Sequence, residues 1–380
     1  MSLKRFLPDL CAIALALFSG PALLRLVPRS LLPPLRVVVI AGSVLLVAGF
    51  AVTCLQAAEY EAGFQWMMVG GVAFAWAVAL ILATAIGFGF RRILAPPVAV
   101  ERRKLLTLAS GAVMAAPAAA LGYGMFISRR QFRLQEVDLA VPGLAPDLEG
   151  LRIVQLSDIH LSPFLSRADL QWCVNMANET RPHLVVVTGD LITGIRDSID
   201  DCLEDLRHLR ADAGVFGCNG NHERYVGGEA YAAERAARLG MKFLRSERTS
   251  LTFGSAQLNL AGVDHQDNRW SYAKATEGLH RPGELNLLLN HNPAMFPHIV
   301  KQGWDVTLSG HMHGGQINVE LANANINLVR FTTPYVYGTY REDRSAMYVT
   351  RGIGTIGMPV RLGAPPEVAL IRLRAAPVVL

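Results

Sequence analysis

Polar and apolar positions divide this chain into two textures. In the first third, residues 10–24, 37–55, 66–90 and 105–127 are long apolar runs without a charged side chain. The last three have the length needed to cross a hydrocarbon core about 30 Å thick. The first is shorter and contains Pro21. A cleaved signal peptide is the competing reading of that run, but Pro21 and Arg25 make a poor cleavage context. The pattern predicts a membrane domain over residues 1–130 with four spanning helices.

From about residue 131 the runs shorten to strand length and alternate with mixed segments of helical length. LRIVQL (151–156), LVVVTG (184–189), GVFGCNG (214–220), LNLLLN (285–290) and DVTLSG (305–310) read as buried strands bounded by Gly, Asp or Asn. Residues 166–179 open on a Ser cap and carry apolar residues at helical spacing. Residues 229–239 form a second helix, closed by Gly240. This alternation predicts an α/β layered domain over residues 131–380.

Composition supports the division. The chain has 380 residues, 51% of them hydrophobic, with a net charge of +5. Residues 1–130 hold 12 Lys and Arg against 4 Asp and Glu, and the remainder hold 24 against 27. The basic excess therefore belongs to the first part, and a nucleic-acid partner is not implied. Arg25, Arg29 and Arg36 lie between the first two runs, only Glu59 and Glu61 between the next two, and Arg91, Arg92, Arg102, Arg103 and Lys104 before the last. By the positive-inside rule this predicts an integral protein of the cytoplasmic membrane with its C-terminal domain on the extracytoplasmic side. Cys173, Cys202 and Cys218 lack metal-ligand spacing and read as buried small residues.

The chemistry sits just past the strands. Asp158 and His160 follow the first, Asp190 the second, Asn221, His222 and Glu223 the third, His291 the fourth, and His311 and His313 the fifth. Ligands bind beyond the carboxyl ends of strands in layered sheets, so these groups are expected on one rim. A lone strand-end Asp is usually a turn residue, and a lone His is usually structural. Here the coincidence of eight candidate ligand or acid-base groups, all of these but Glu223, points to a site. His183, His208, His265, His280 and His298 lack that context and read as structural or surface residues. Carboxylate, imidazole and amide donors without thiolate suit Mn, Fe, Zn or Co. Seven ligands exceed one tetrahedral zinc with an open position but suit two divalent ions sharing a bridging carboxylate.

The order D-x-H, G-D, G-N-H-[DE], H, G-H-x-H across residues 150–315 resembles the signature of the calcineurin-like metallophosphoesterases. S-G-H-M-H-G-G-Q (309–316), followed by Y-V-T-R-G-I-G-T-I-G-M-P-V-R (348–361), is similar to their bacterial transmembrane branch. The resemblance implies a β-sandwich flanked by helices, preceded here by the N-terminal membrane helices. It implies that Asp158, His160 and His313 hold one metal, that Asn221, His291 and His311 hold the other, and that Asp190 bridges them. It also implies a hydroxide nucleophile, with His222 as general acid oriented by Glu223 or by a backbone carbonyl. One departure is Thr193, where many relatives carry an Asp.

The expected substrate is a phosphoric ester or pyrophosphate. A lipid or lipid-linked substrate is favoured by the anchor and by the apolar, aromatic segment 326–340. Some relatives hydrolyse UDP-diacylglucosamine, a cytoplasmic substrate at odds with an external domain. Membrane lipids would then be partners. The alternatives are a monoesterase for small soluble phosphates, with Arg224, Arg341 and Arg351 as candidate phosphate contacts, and a non-catalytic metal-binding membrane scaffold.

Overall fold

The computed structural model describes residues 19–25, 36–37, 39–44, 64–93, 100–321 and 324–376. They fall into two units, Met1–Ser128 with Gly357–Val360, and Arg129–Ile356 with Arg361–Leu380.

In the first unit the long helices are α1 (Phe64–Ile93) and α2 (Val100–Phe126). Ala77, Leu80 and Ala83 of α1 pack with Leu23 and Val39. Among the described residues no helix is long and apolar enough to cross a membrane. Along α2 the apolar run is diluted by Ala, Gly, Ser and Thr and interrupted by Pro117. The predicted runs at 10–24 and 37–55 lie largely outside the described residues. Among the described residues the expected transmembrane bundle is not found, and the integral-membrane, extracytoplasmic location inferred from it is overturned.

The second unit is built on two six-stranded mixed sheets. One has the order β1 (Arg133–Pro142), β14 (Glu367–Ala376), β2 (Arg152–Leu156), β3 (Leu184–Thr188), β4 (Val215–Cys218) and β5 (Lys242–Phe243). The other runs β12 (Gly338–Glu342), β13 (Ser345–Val349), β9 (Val306–Ser309), β8 (Leu285–Asn290), β7 (Ala256–Val263) and β6 (Glu247–Phe253), while β10 (Asn318–Leu321) and β11 (Ala324–Asn327) pair antiparallel apart from both. Successive strand residues point to opposite faces, and the central strands bury both. Ile153, Leu184 and Val186 meet Leu258, Leu287, Leu289 and Leu308 in the core between the sheets. Val154, Val185 and Val187 point outward, against Leu170, Cys173 and Val174 of α3 (Arg167–Glu179) and Cys202, Leu203 and Leu206 of α4 (Ile199–Leu206). On the far face, Val263, Leu288 and Met347 pack on Tyr272, Phe296 and Trp304. Double-sided burial explains why these strands read as continuous apolar runs instead of alternating ones.

The strand-end loops are set by local signals. Ser166 caps α3, accepting from Asp169 N (3.2 Å) while Asp169 accepts from Ser166 N (3.1 Å). Two short helices follow β4, namely α5 (Asn221–Tyr225) and α6 (Glu229–Arg238). Gly240, with φ +83°, lies two residues past α6. Cys173, Cys202 and Cys218 are buried free thiols.

Candidate metal centre

Parallel strands β2, β3 and β4 of one sheet and β8 and β9 of the other deliver their C-terminal ends to a shared rim. The loops after β2 and β3 are laced together: Asp158 N donates to Gly189 O (3.0 Å), and His160 N to Asp190 O (3.0 Å). Close approach needs glycine at two points. A Cβ on Gly310 would stand 2.1 Å from Ser157 Oγ and 2.3 Å from Asp158 Oδ2. One on Gly220 would stand 2.1 Å from Asp190 Oδ1.

Five rim residues that are not glycine take left-handed backbone: Asp158 (φ 50°), His160 (47°), Asp190 (55°), His311 (74°) and His313 (52°). Each such residue costs on the order of 1–3 kcal/mol and persists only where its surroundings dictate it. Concentrated at three strand ends, those of β2, β3 and β9, the strain marks the rim as a candidate functional site.

Donor atoms of Asp158, His160, Asp190 and His313 lie within 4.8 Å of one another, and those of His265, His291 and His311 form a second such group. Asp190 joins the two, its Oδ2 standing 3.4 Å from His160 Nε2 and 3.1 Å from His291 Nε2. His160 Nε2 and His313 Nε2 are 3.1 Å apart, and His313 Nε2 is 3.3 Å from Asp158 Oδ1. The other Asp190 oxygen accepts from His222 N (3.0 Å).

Asp158 Oδ2 and Asn221 Oδ1 are buried without a hydrogen-bond partner. Orphaned buried acceptors cost about 1–3 kcal/mol each, and cations at this rim would satisfy them. The outer nitrogens are already fixed in the manner of metal-bound imidazoles. His160 Nδ1 lies 3.1 Å from Ile192 O, and His291 Nδ1 lies 2.6 Å from Thr188 O. The residues present therefore fit a pair of divalent ions.

The charges agree. Burial would raise the Asp190 carboxyl, but His291 and the hydrogen bonds from His160 and His291 hold it well below the usual range. Burial would lower His291, yet Asp190 lifts it to about 10. Burial pushes Asp158 up, and drives His311 down to about 3, His265 to about 4, and His313 well below its ordinary value.

His222 stands beside this group, its ring edge-on to His160 at 4.7 Å between centroids. Its Nδ1 lies 2.6 Å from Thr193 O. The carbonyl of Thr193, not Glu223, orients the ring. Glu223 turns away and accepts the amides of Gly220 (2.8 Å), Asp190 (3.0 Å) and Leu191 (2.7 Å). Burial and the neighbouring Asp190 push its carboxyl up to about 7. Thr193 Oγ1 reaches His160 Nδ1 at 3.2 Å, so a hydroxyl serves where many relatives carry a carboxylate.

Of the candidate phosphate contacts, Arg351 pairs with Glu367 (2.5 Å) and lies over Tyr337, and Arg341 donates to Ala140 O. Arg224 pairs with Asp267 (2.8 Å) and also donates to His265 O. Missed from sequence was His265, which sits in the second ligand group. The run L-N-L-A-G-V-D-H (258–265), an apolar strand ending in Asp-His, carried the same signal as the other strand ends.

Residues 151–315 match the calcineurin-like phosphoesterase family model, and over this span the chain belongs to that family. A Danio rerio protein named transmembrane protein with metallophosphoesterase domain is 30% identical over 295 residues, covering 72% of this chain and 63% of that protein. The uncharacterized metallophosphoesterase YkuE of Bacillus subtilis (strain 168) is 28% identical over 298 residues, covering 73% and 98%. Phosphodiesterase YaeI of Escherichia coli (strain K12) is 26% identical over 277 residues, covering 72% and 99%. The chain thus spans less than two thirds of the length of the Danio rerio relative.

Proposed function

We propose that residues 131–380 form a binuclear metal-dependent phosphoesterase that hydrolyses a phosphodiester. The observation that carries the reading is Asp190 Oδ2, a single carboxylate oxygen within 3.4 Å of His160 in one ligand group and 3.1 Å of His291 in the other. Asp158, His160 and His313 would hold one divalent ion (Mn, Fe, Zn or Co), Asn221, His291 and His311 would hold the second, and Asp190 would be shared between them. When bound, the pair supplies Lewis acidity toward a phosphoryl oxygen and acidifies a water. The chain's own residues do the rest. His222, with Nδ1 held by Thr193 O, keeps Nε2 to carry the proton to the departing oxygen. Glu223 holds the Asp190 turn against the Asn221 turn through backbone amides.

The diester preference is supported by the relative named a phosphodiesterase, which aligns over 72% of the chain. It is tested by assaying the purified chain, loaded with Mn, Zn or Co, on bis(p-nitrophenyl) phosphate and p-nitrophenyl phosphate. The reading expects diester turnover that vanishes with metal in Asp190→Ala; a chain that binds metal yet cleaves neither compound would be a scaffold. A lipid-linked ester is the second reading. It is favoured by segment 326–340, where Asn327 Nδ2 donates to Gly314 O (3.0 Å) beside the histidine turn and Phe331 is 88% exposed.

A further inference from the structure

We infer that His265 is an additional ligand of the second metal, making that position a three-imidazole site. The inference rests on the two-metal reading above and adds a residue to it.

Topology brings His265 to the rim. Strand β7 is the parallel neighbour of β8, with Val263 opposite Asn290. Asp264 and His265 therefore leave the sheet where His291 does, and β7 is a sixth strand contributing to the site. The side chain is buried, its ring centroid 5.2 Å from that of His311 and 5.8 Å from that of His291. One donor atom from each of the three lies within 4.8 Å of the others. Ligand nitrogens around one ion at 2.0–2.1 Å stand roughly 3–4 Å apart, so small side-chain rotations bring all three onto a common centre.

The hydrogen bonding separates a ligand from a core histidine. His265 Nε2 lies 3.2 Å from Asp267 Oδ1. Asp267 Oδ2 is in turn held by Arg224 Nη1 at 2.8 Å, and Arg224 Nη1 donates to His265 O at 3.2 Å. This carboxylate–histidine arrangement assigns the proton to Nε2 and leaves Nδ1 as a lone pair. That Nδ1 is buried and has no hydrogen-bond partner. A structural histidine would satisfy both nitrogens, whereas one aimed at a cation leaves this orphan.

The consequence is asymmetry between the two positions. The first has two carboxylates and two imidazoles. The second would have His265, His291 and His311 with Asn221 and the shared Asp190. More nitrogen favours ions later in the Irving–Williams order, so Co or Zn is expected to prefer the second position over Mn.

The test is titration of the metal-free chain with Co(II), read by stoichiometry and visible absorption, for wild type, His265→Ala and Asp267→Asn. Wild type should take up two equivalents. His265→Ala should keep one and bind the other at least about tenfold more weakly, with an altered ligand-field spectrum for that equivalent. Asp267→Asn should weaken the same equivalent by roughly 10-fold, the scale of outer-partner effects. Because Asp267 is 59% exposed, its variant keeps the test decisive should His265→Ala fail to fold. Two equivalents with unchanged affinity and spectrum in both variants overturn the role of His265 alone. A wild-type chain binding fewer than two overturns the two-metal reading as well.

Discussion

Replacing Glu223 with Ala should damage this protein more than any substitution at an exposed ion pair. The carboxylate is fully buried and receives the amides of Gly220, Asp190 and Leu191 at 2.7–3.0 Å, with Ile192 N at 3.4 Å sharing one oxygen. Three buried N–H groups left unpaired at about 1–2 kcal/mol each give a loss of about 3–6 kcal/mol. The carboxylate's own burial penalty, evident in its rise to about 7, pulls the expected value toward the lower half of that range. Glu223→Gln keeps one acceptor oxygen and should fall between wild type and Ala. Urea unfolding of the metal-free chain measures the loss. Hydrogen exchange of the amides of residues 190, 191 and 220 locates it, since those should lose protection first. A loss below about 1 kcal/mol with the three amides still protected would refute the reasoning.

Three further outcomes follow from the geometry. His222→Ala should retain both metals and lose turnover by about 10²–10⁴-fold; full activity in that variant would remove the proton-donor role. Thr193→Asp sets a carboxylate near His160 Nδ1, now 3.2 Å from the hydroxyl. Chelator competition should then show metal affinity rising by up to about tenfold, and weaker binding would contradict this. His291, lowered by burial but lifted to about 10 by Asp190, carries a proton at neutral pH in the metal-free site. Metal uptake must displace it, so apparent affinity should rise about tenfold per pH unit while His291 is the one proton released. Calorimetry in buffers of different ionisation enthalpy would show no proton release if this is wrong.

The strands that carry the site were legible because they are buried on both faces. LRIVQL and LVVVTG declare themselves without periodicity, and observed β2 and β3 differ from those runs by a residue at one end. Strands β1 and β14 escaped notice. Glu136, Asp138, Arg372 and Arg374 sit on their exposed side, and the resulting mixed pattern resembles a surface loop. Strand-end position and the family signature pointed to the seven candidate ligands and His222, which the structure brings to one rim. His265 was not, because β7 went unrecognised and its terminal Asp-His looked isolated. Of the two orienting groups expected for His222, Glu223 or a backbone carbonyl, the carbonyl of Thr193 serves, because an acid next to a histidine in sequence projects elsewhere when both begin a helix. In the first third, apolar runs suggested bilayer crossings, but a run of low charge also describes helices that pack on one another through alanine.

The position of the last strand has a consequence for how the protein is made. Strand β14 lies between β1 and β2, and shortly before it in sequence buried Arg361 donates to the carbonyls of Gly354, Arg351 and His313. Until residues 361–376 have been made, β1 has no paired strand and the turn bearing His313 lacks its clamp. The nascent chain then exposes two unpaired strand edges. Stalling or truncation before Arg361 should therefore yield aggregates instead of a weakly active enzyme, and metal acquisition should await synthesis of β14.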